Sequence, residues 1–169
     1  STSSLHTYGI GPFIEPLQEA FGWSRAQIAM GLTIAGVTGA VMAIPIGMLV
    51  DRIGPRRIGL VGVVAMTGAF ALLGTATGTI TNWIILWIVL AIANLGLQGP
   101  VWTKAVGSRF EKARGTAFAV TLTGAPVTAT VLPVIAIALI AAYDWRTGFF
   151  GVGLIWFLAA FPLMFLFFR

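Results

Sequence analysis

GMLVDRIGPRR, residues 47–57, places four ionised side chains within eleven residues of a chain in which only 9% of residues are charged. On each side of it the sequence is predominantly apolar for about twenty residues, the length of a membrane-crossing helix. Read as a helix end, the stretch makes local sense. A helix running to about Ile53 finds in Gly54 a residue suited to the position just past its end, and Pro55 prevents continuation. Arg52 then lies in the last turn, where the negative end of the helix dipole favours a cation, and Asp51 lies in the same turn, where it disfavours an anion. Adjacent helical residues point in different directions, so Arg52 offsets Asp51 only partly. Asp51 therefore belongs either to a solvated charged turn or to a contact outside its own helix, such as the free N–H groups of another helix's N-terminus.

The rest of the composition says which solvent the chain is built for. Of 169 residues, 58% are hydrophobic, and the mean hydropathy is +0.97. Soluble domains run nearer half apolar and a quarter charged, and a chain of this size in water needs more polar cover. The formal charge of +5 is gathered into two short segments rather than spread over a face, which argues against nucleic acid as a partner. There is no cysteine and one histidine, His6, so disulfides, thiol sites and histidine-rich metal sites are excluded and no cofactor is expected. No cleavable signal peptide is visible. The chain opens on Ser1 rather than Met, and residues upstream of it are expected.

Five segments meet the length of a span: Gln27–Val50, Ile58–Ile80, Trp83–Trp102, Thr116–Ala142 and Gly148–Phe168. The 17 residues from Leu5 to Phe21 carry Pro12, Glu15, Pro16 and Glu19, and read either as a surface or amphipathic segment or as the outer part of a truncated first helix. The latter completes a set of six. Helices rather than barrel strands follow from the length of the apolar runs.

Eight of the ten Lys and Arg residues fall on one side of alternating spans: Arg52, Arg56, Arg57, Lys104, Arg109, Lys112, Arg114 and Arg169. Arg25 and Arg146 fall on the other. The positive-inside rule then predicts that 51–57 and 103–115 are cytoplasmic. Trp23, Trp83, Tyr143 and Trp145 are predicted to form an aromatic belt at the outer interface. Small residues at helical spacing in the second span (Gly31, Ala35, Gly39, and Gly36, Ala40, Gly47) predict close helix–helix approach. Prolines 45, 100, 126, 133 and 162 lie within or near spans and permit bends.

Gly47, Leu49, Asp51-Arg52, Gly54 and Arg56-Arg57 together resemble the loop motif of the major facilitator superfamily, which joins spans two and three. FGWSRAQ (21–27), RFEKARGTA (109–117) and YDWRTGF (143–149) are similar to the prokaryotic monocarboxylate-porter and oxalate/formate-antiporter-like branch, so that the resemblance covers essentially the whole chain. It implies an all-α membrane protein: a six-helix transmembrane bundle with its first helix truncated, made of two inverted three-helix repeats, the N-terminal half of a twelve-helix transporter whose other bundle is absent from this chain. It implies a bacterial inner-membrane location, and spans one and four lining a cavity, two and five at the bundle interface, three and six facing lipid. It implies that Asp51 meets a helix end of the other bundle while Arg52 and Arg56 engage acidic loop residues, Glu111 being the acid at hand. On this reading Gly47, Asp51, Arg52, Gly54, Arg56 and Arg57, with Arg109, Glu111, Lys112 and Arg114 of the next cytoplasmic loop, latch a gate. Two antiporter signatures are incomplete: Leu95 stands where an Arg precedes Gln98-Gly99 by three, and Ala125-Pro126-Val127-Thr128 departs from the fifth-span pattern.

The depth of residues within the spans selects His6, Tyr8, Glu15, Asn94 and Gln98 as candidates for a substrate or proton cavity. Polar groups near the bilayer centre are costly and usually functional, and a histidine titrates near neutrality. His6 is otherwise a chain terminus, and Glu15 otherwise reaches water. Asn94 and Gln98 lie four apart, on one helix face, and line a cavity or bond between helices. Thr121, Thr123, Thr128 and Thr130 can bond their own helix. Within the spans there is no paired aspartate, Ser-His pair or metal-ligand cluster, so no enzyme is expected. The resemblance implies secondary transport of a small organic solute, a carboxylate, by proton symport or exchange. Proton-coupled efflux of drugs or metabolites, and a non-transporting six-span scaffold, are the alternatives.

Overall fold

The computed structural model describes residues 4–98 and 114–167. It is helical throughout, with no strand among the described residues. The first segment is broken: α1 (Leu5–Gly9) leads through a 3-10 turn (Gly11–Phe13) into α2 (Ile14–Phe21). Pro12, which has no N–H to donate, falls inside the turn, so the expected single truncated helix is a bent one. The long helices are α3 (Arg25–Ile53), α4 (Pro55–Leu72, extended by a 3-10 turn to Thr75), α5 (Ile80–Leu95), α6 (Arg114–Ala142) and α7 (Trp145–Phe167). Four of them are long and apolar enough to cross a membrane: Arg25–Ile53, Pro55–Thr75, Leu122–Ala142 and Trp145–Leu166. α5, at 16 residues, extends about 24 Å at 1.5 Å per residue.

The helix junctions are set by local chemistry. Gly22, at φ 69°, caps α2 with its N–H on the Gln18 carbonyl at 2.8 Å. Ser24 and Gln27 then open α3 with a reciprocal capping box, Ser24 Oγ accepting from the Gln27 N–H at 3.1 Å and Gln27 Oε1 accepting from the Ser24 N–H at 2.9 Å. Gly54, at φ 92°, closes α3 and opens α4, with Pro55 as the first residue of the new helix. The third span therefore starts at Pro55 rather than Ile58, because a proline at a helix N-terminus initiates where it cannot continue.

α3 packs on α5, α4 lies between α5 and α7, and α6 packs on α7 and on the first segment. Close approach is made possible by missing side chains. A methyl on Gly62 would stand 2.9 Å from the Gly96 backbone, so α4 and the end of α5 touch main chain to main chain. Trp87 lies where a side chain on Gly31 would go. The core between the layers is aromatic: Phe13 stacks on Phe149 with ring centres 3.8 Å apart, and both meet Phe70 edge-on.

Two expectations change. Tyr143 is exposed, but Trp23 and Trp83 are buried, and Trp23 packs on both Phe21 and Trp83. With Trp145 set edge-on to Phe21, these rings form an internal cluster at one end of the bundle rather than a belt facing outward. Burying a large aromatic surface among neighbours gains more than lining an interface singly. Nor is α4 apolar merely to meet lipid: Val63, Met66, Ala69 and Phe70 are buried, and only a stripe including Val61, Val64 and Leu72 is exposed. α3 and α6 are the barest of the long helices.

Candidate functional site

A pocket of about 500 Å³ opens among α1, α3 and the end of α5. α1 contributes His6 and Thr7, α5 contributes Asn94, the turn that follows contributes Gln98, and α3 supplies a small-residue wall including Gly36, Gly39, Ala40 and Ala43. Both small-residue strips of α3 reach the pocket: the buried Ala35 and Gly39 line it together with the exposed Gly36 and Ala40, while Gly31 packs against Trp87. At Gly39 a methyl would come within 2.8 Å of Gln98 Nε2, so the absent side chain admits the amide.

His6 and Asn94 are 8% and 6% exposed. His6 Nε2 lies 3.3 Å from Thr7 Oγ1, while its Nδ1 is buried with no hydrogen-bond partner. The Asn94 Oδ1 is likewise buried and unpartnered, as is the Trp87 Nε1. Trp87 lies edge-on to His6 with ring centres 6.2 Å apart, and it precedes Asn94 by seven residues, two turns along the same face of α5. Three unsatisfied polar atoms so close to one cavity are uncommon, since each costs about 1–3 kcal/mol when no partner is bound.

Of the five residues selected from the sequence, His6, Asn94 and Gln98 line this pocket. The helix ends at Leu95, so Gln98 reaches it from a turn, with its N–H on the Leu95 carbonyl at 3.4 Å, rather than from the helical face expected. Tyr8 is exposed elsewhere. Glu15 lies with Arg25, Pro12 and Ile137 around a second groove of about 480 Å³ between the first segment, α3 and α6. Thr7 and Trp87 were not singled out from the sequence. The seven-residue spacing of Trp87 from Asn94 was the available signal. Thr128 and Thr130 bond the carbonyls of Gly124 and Pro126, as their self-satisfying geometry predicts.

At the α3–α4 junction all the motif charges lie on helix ends. Asp51 and Arg52 occupy the last turn of α3, and Arg56 and Arg57 the first turn of α4; all four are exposed. Asp51 at a helix C-terminus and two arginines at a helix N-terminus stand at the ends their charges disfavour, at about 0.3–1 kcal/mol each. Only Arg52 agrees with its dipole. A methyl on Gly47 would meet nothing within 4 Å. Arg109, Glu111 and Lys112 lie outside the described residues, and Arg114 opens α6.

The opposite end of the bundle holds a second charged junction. Asp144 precedes α7 and accepts the Thr147 N–H at 2.7 Å. The Thr147 side chain and then that N–H hold its carboxyl below the usual aspartate range. Arg146 donates to the Gly74 carbonyl at 2.8 Å, and its guanidinium carbon stands 4.3 Å from the centre of the Trp145 ring.

No curated protein matches the chain. A helical bundle with apolar spanning helices, a polar pocket between them and the charged Gly-Pro junction of residues 47–57 agree with one family, whose pattern runs the length of the sequence: the chain, matched over residues 1–169, belongs to the Major Facilitator Superfamily of membrane transporters.

Proposed function

We propose that the chain moves a small organic solute, a carboxylate, through the pocket between α1, α3 and α5, by alternating access coupled to protons as symport or exchange. It does so as the N-terminal half of a twelve-helix carrier, with 51–57 and 103–115 on the cytoplasmic side of a bacterial inner membrane. The observation that carries this reading is the pair of buried, unpartnered polar atoms, His6 Nδ1 and Asn94 Oδ1, beside an open cavity in an otherwise apolar bundle. Such groups inside a membrane mark a pathway rather than a packing solution. The carboxylate rests on the resemblance of residues 21–27, 109–117 and 143–149 to the monocarboxylate-porter branch, and the sidedness on the eight-to-two division of basic residues.

The charges at the α3–α4 junction serve as the latch. Asp51, Arg56 and Arg57 are exposed and oppose the dipoles of their own helices, so an oppositely charged partner surface that approaches them shifts the balance between two states of the gate.

Asn94→Ala and Gln98→Ala test the pocket. Each is expected to weaken solute affinity by roughly tenfold, the loss of one hydrogen bond at about 1.4 kcal/mol, while membrane insertion is retained. Unchanged affinity in both variants means that the solute binds elsewhere.

A further inference from the structure

The groove of about 480 Å³ that holds Glu15 and Arg25 is walled by the first segment, the start of α3 and the last turns of α6. Arg25 opens α3 and Ala141 lies at the close of α6, so the groove sits at the end of the bundle away from the 51–57 junction. Groove and pocket stand in series along the same two elements. Glu15 and Arg25 belong to the groove, His6 and the Leu32–Ala43 stretch of α3 to the pocket.

Their linings differ in charge. Among the described residues that line the pocket there is no Asp, Glu, Lys or Arg. The groove has one carboxylate and one guanidinium, contributed by different helices. Both are exposed, and among the described residues no ion pair joins them. The rest of the lining is apolar, with Ile14, Ile137, Ile140 and Ala141 supplying side chains. An apolar floor with a few placed charges is how small-molecule sites fix orientation and choose among ligands. A plain carboxylate would gain Arg25 but meet Glu15, and a plain amine would gain Glu15 but meet Arg25. Only a molecule carrying both charges gains from each, so the same pair attracts one class and rejects the other two. A carboxylate on Arg25 also meets the positive end of the α3 dipole, which the guanidinium by itself opposes.

We infer that this groove is an outer loading site for amino acids: its ligand carries an ammonium held by Glu15 and a carboxylate held by Arg25, on a small aliphatic frame that lies against Ile137 and Ile140. The inference rests on the carboxylate reading above and narrows it to amino-carboxylates. The groove selects the ligand at the mouth, and the pocket further along the first segment receives it. Glu15 and Arg25 act as specificity residues, each by matching one charge of the ligand and repelling the other. The planar fork of Arg25 suits a carboxylate, which it can hold through two parallel hydrogen bonds.

The test measures equilibrium binding to the full-length carrier in detergent. The probes are radiolabelled leucine and ε-aminocaproate, isomers whose two charges are adjacent or far apart, with caproate as the acid alone and hexylamine as the amine alone. The better bound isomer is expected to bind roughly tenfold or more tightly than either singly charged probe. Glu15→Gln should abolish its preference over caproate, and Arg25→Gln its preference over hexylamine. The exchanged pair, Glu15→Arg with Arg25→Glu, should recover most of the affinity lost in Glu15→Arg alone. Asn94→Ala should weaken binding of all the acids alike and keep the preference, which separates the groove from the pocket. Caproate binding as tight as that of both isomers in the unmodified carrier overturns the inference, whatever the variants do, and leaves the carboxylate reading standing. A preference that survives both Glu15→Gln and Arg25→Gln does the same. Failure of the unmodified carrier to bind any of the three acids, while it binds an uncharged solute, overturns the carboxylate reading itself.

Discussion

The two short junctions at opposite ends of the bundle carry almost the same residues and use them in opposite ways. Asp51-Arg52 ends α3 and Asp144-Trp145-Arg146 begins α7. Asp144 stands at a helix N-terminus, where its carboxylate caps free N–H groups, and Arg146 is tied to the Gly74 carbonyl and the Trp145 ring. Asp51 stands at a C-terminus, and Arg56 and Arg57 at an N-terminus, all exposed. The 143–147 junction is therefore satisfied within the bundle. The 51–57 junction sets an anion and two cations against the dipoles of the helices that carry them. The same residue types agree with the helix dipole in one place and oppose it in the other, and the helix end they occupy decides which.

The largest effect that could break this contrast is functional. Asp51→Asn is expected to lower transport turnover by at least roughly tenfold, about 1.4 kcal/mol in the barrier, with insertion and melting temperature unchanged. Wild-type turnover in that variant would make the 51–57 junction a solvated turn. Next, Arg146→Ala should destabilise the bundle by about 1 kcal/mol, because it leaves the buried Gly74 carbonyl without its charged donor. Thermal unfolding in detergent reads this directly, and an unchanged melting temperature would remove the distinction between the two ends.

A smaller effect sharpens the comparison through pH. The Asp144 carboxyl is held below its ordinary range, so its contribution to stability is complete above that range and is lost as pH falls through the depressed folded value. Asp144→Asn should melt below wild type at neutral pH, and the two curves should converge in acid. Parallel curves would mean that the cap is electrostatically idle. The smallest effect belongs to Arg56→Ala and Arg57→Ala. Each should alter stability by less than about 0.5 kcal/mol, with a slight gain because a cation leaves a helix N-terminus. A clear loss in either would show that the arginine is anchored within the bundle.

The division between what was legible in the sequence and what was not follows the range of the forces involved. The α3–α4 break at Gly54-Pro55 could be read directly, because backbone freedom and a missing N–H act locally. So could the small-residue spacing of α3, but not what it meets. Whether Gly36 and Ala40 meet a helix or a cavity depends on where α1 and α5 lie. Trp23 and Trp83 carry the signature of interfacial residues, yet their rings are covered because the 21–25 and 80–87 segments meet, which no local pattern announces. Tyr8 shares with His6 a depth near the bilayer centre along the first segment, and Glu15 lies nearer the outer interface. Tyr8, two residues from His6 on the same short helix, points away from it, and the turn at Gly11–Phe13 redirects Glu15, so that His6 alone among them faces the pocket.

From the sequence by itself come the solvent, the helical class, the α3–α4 break and the family, since hydropathy, proline, glycine and charge act over one helix or one turn. Only the tertiary structure gathers His6, Asn94 and Gln98, which are up to 92 residues apart in the chain, around one cavity. It alone also leaves the buried atoms of His6 and Asn94 unpartnered. Satisfaction of a polar atom is a property of all its neighbours at once, and neighbours contributed by three different elements are fixed by packing rather than by sequence order.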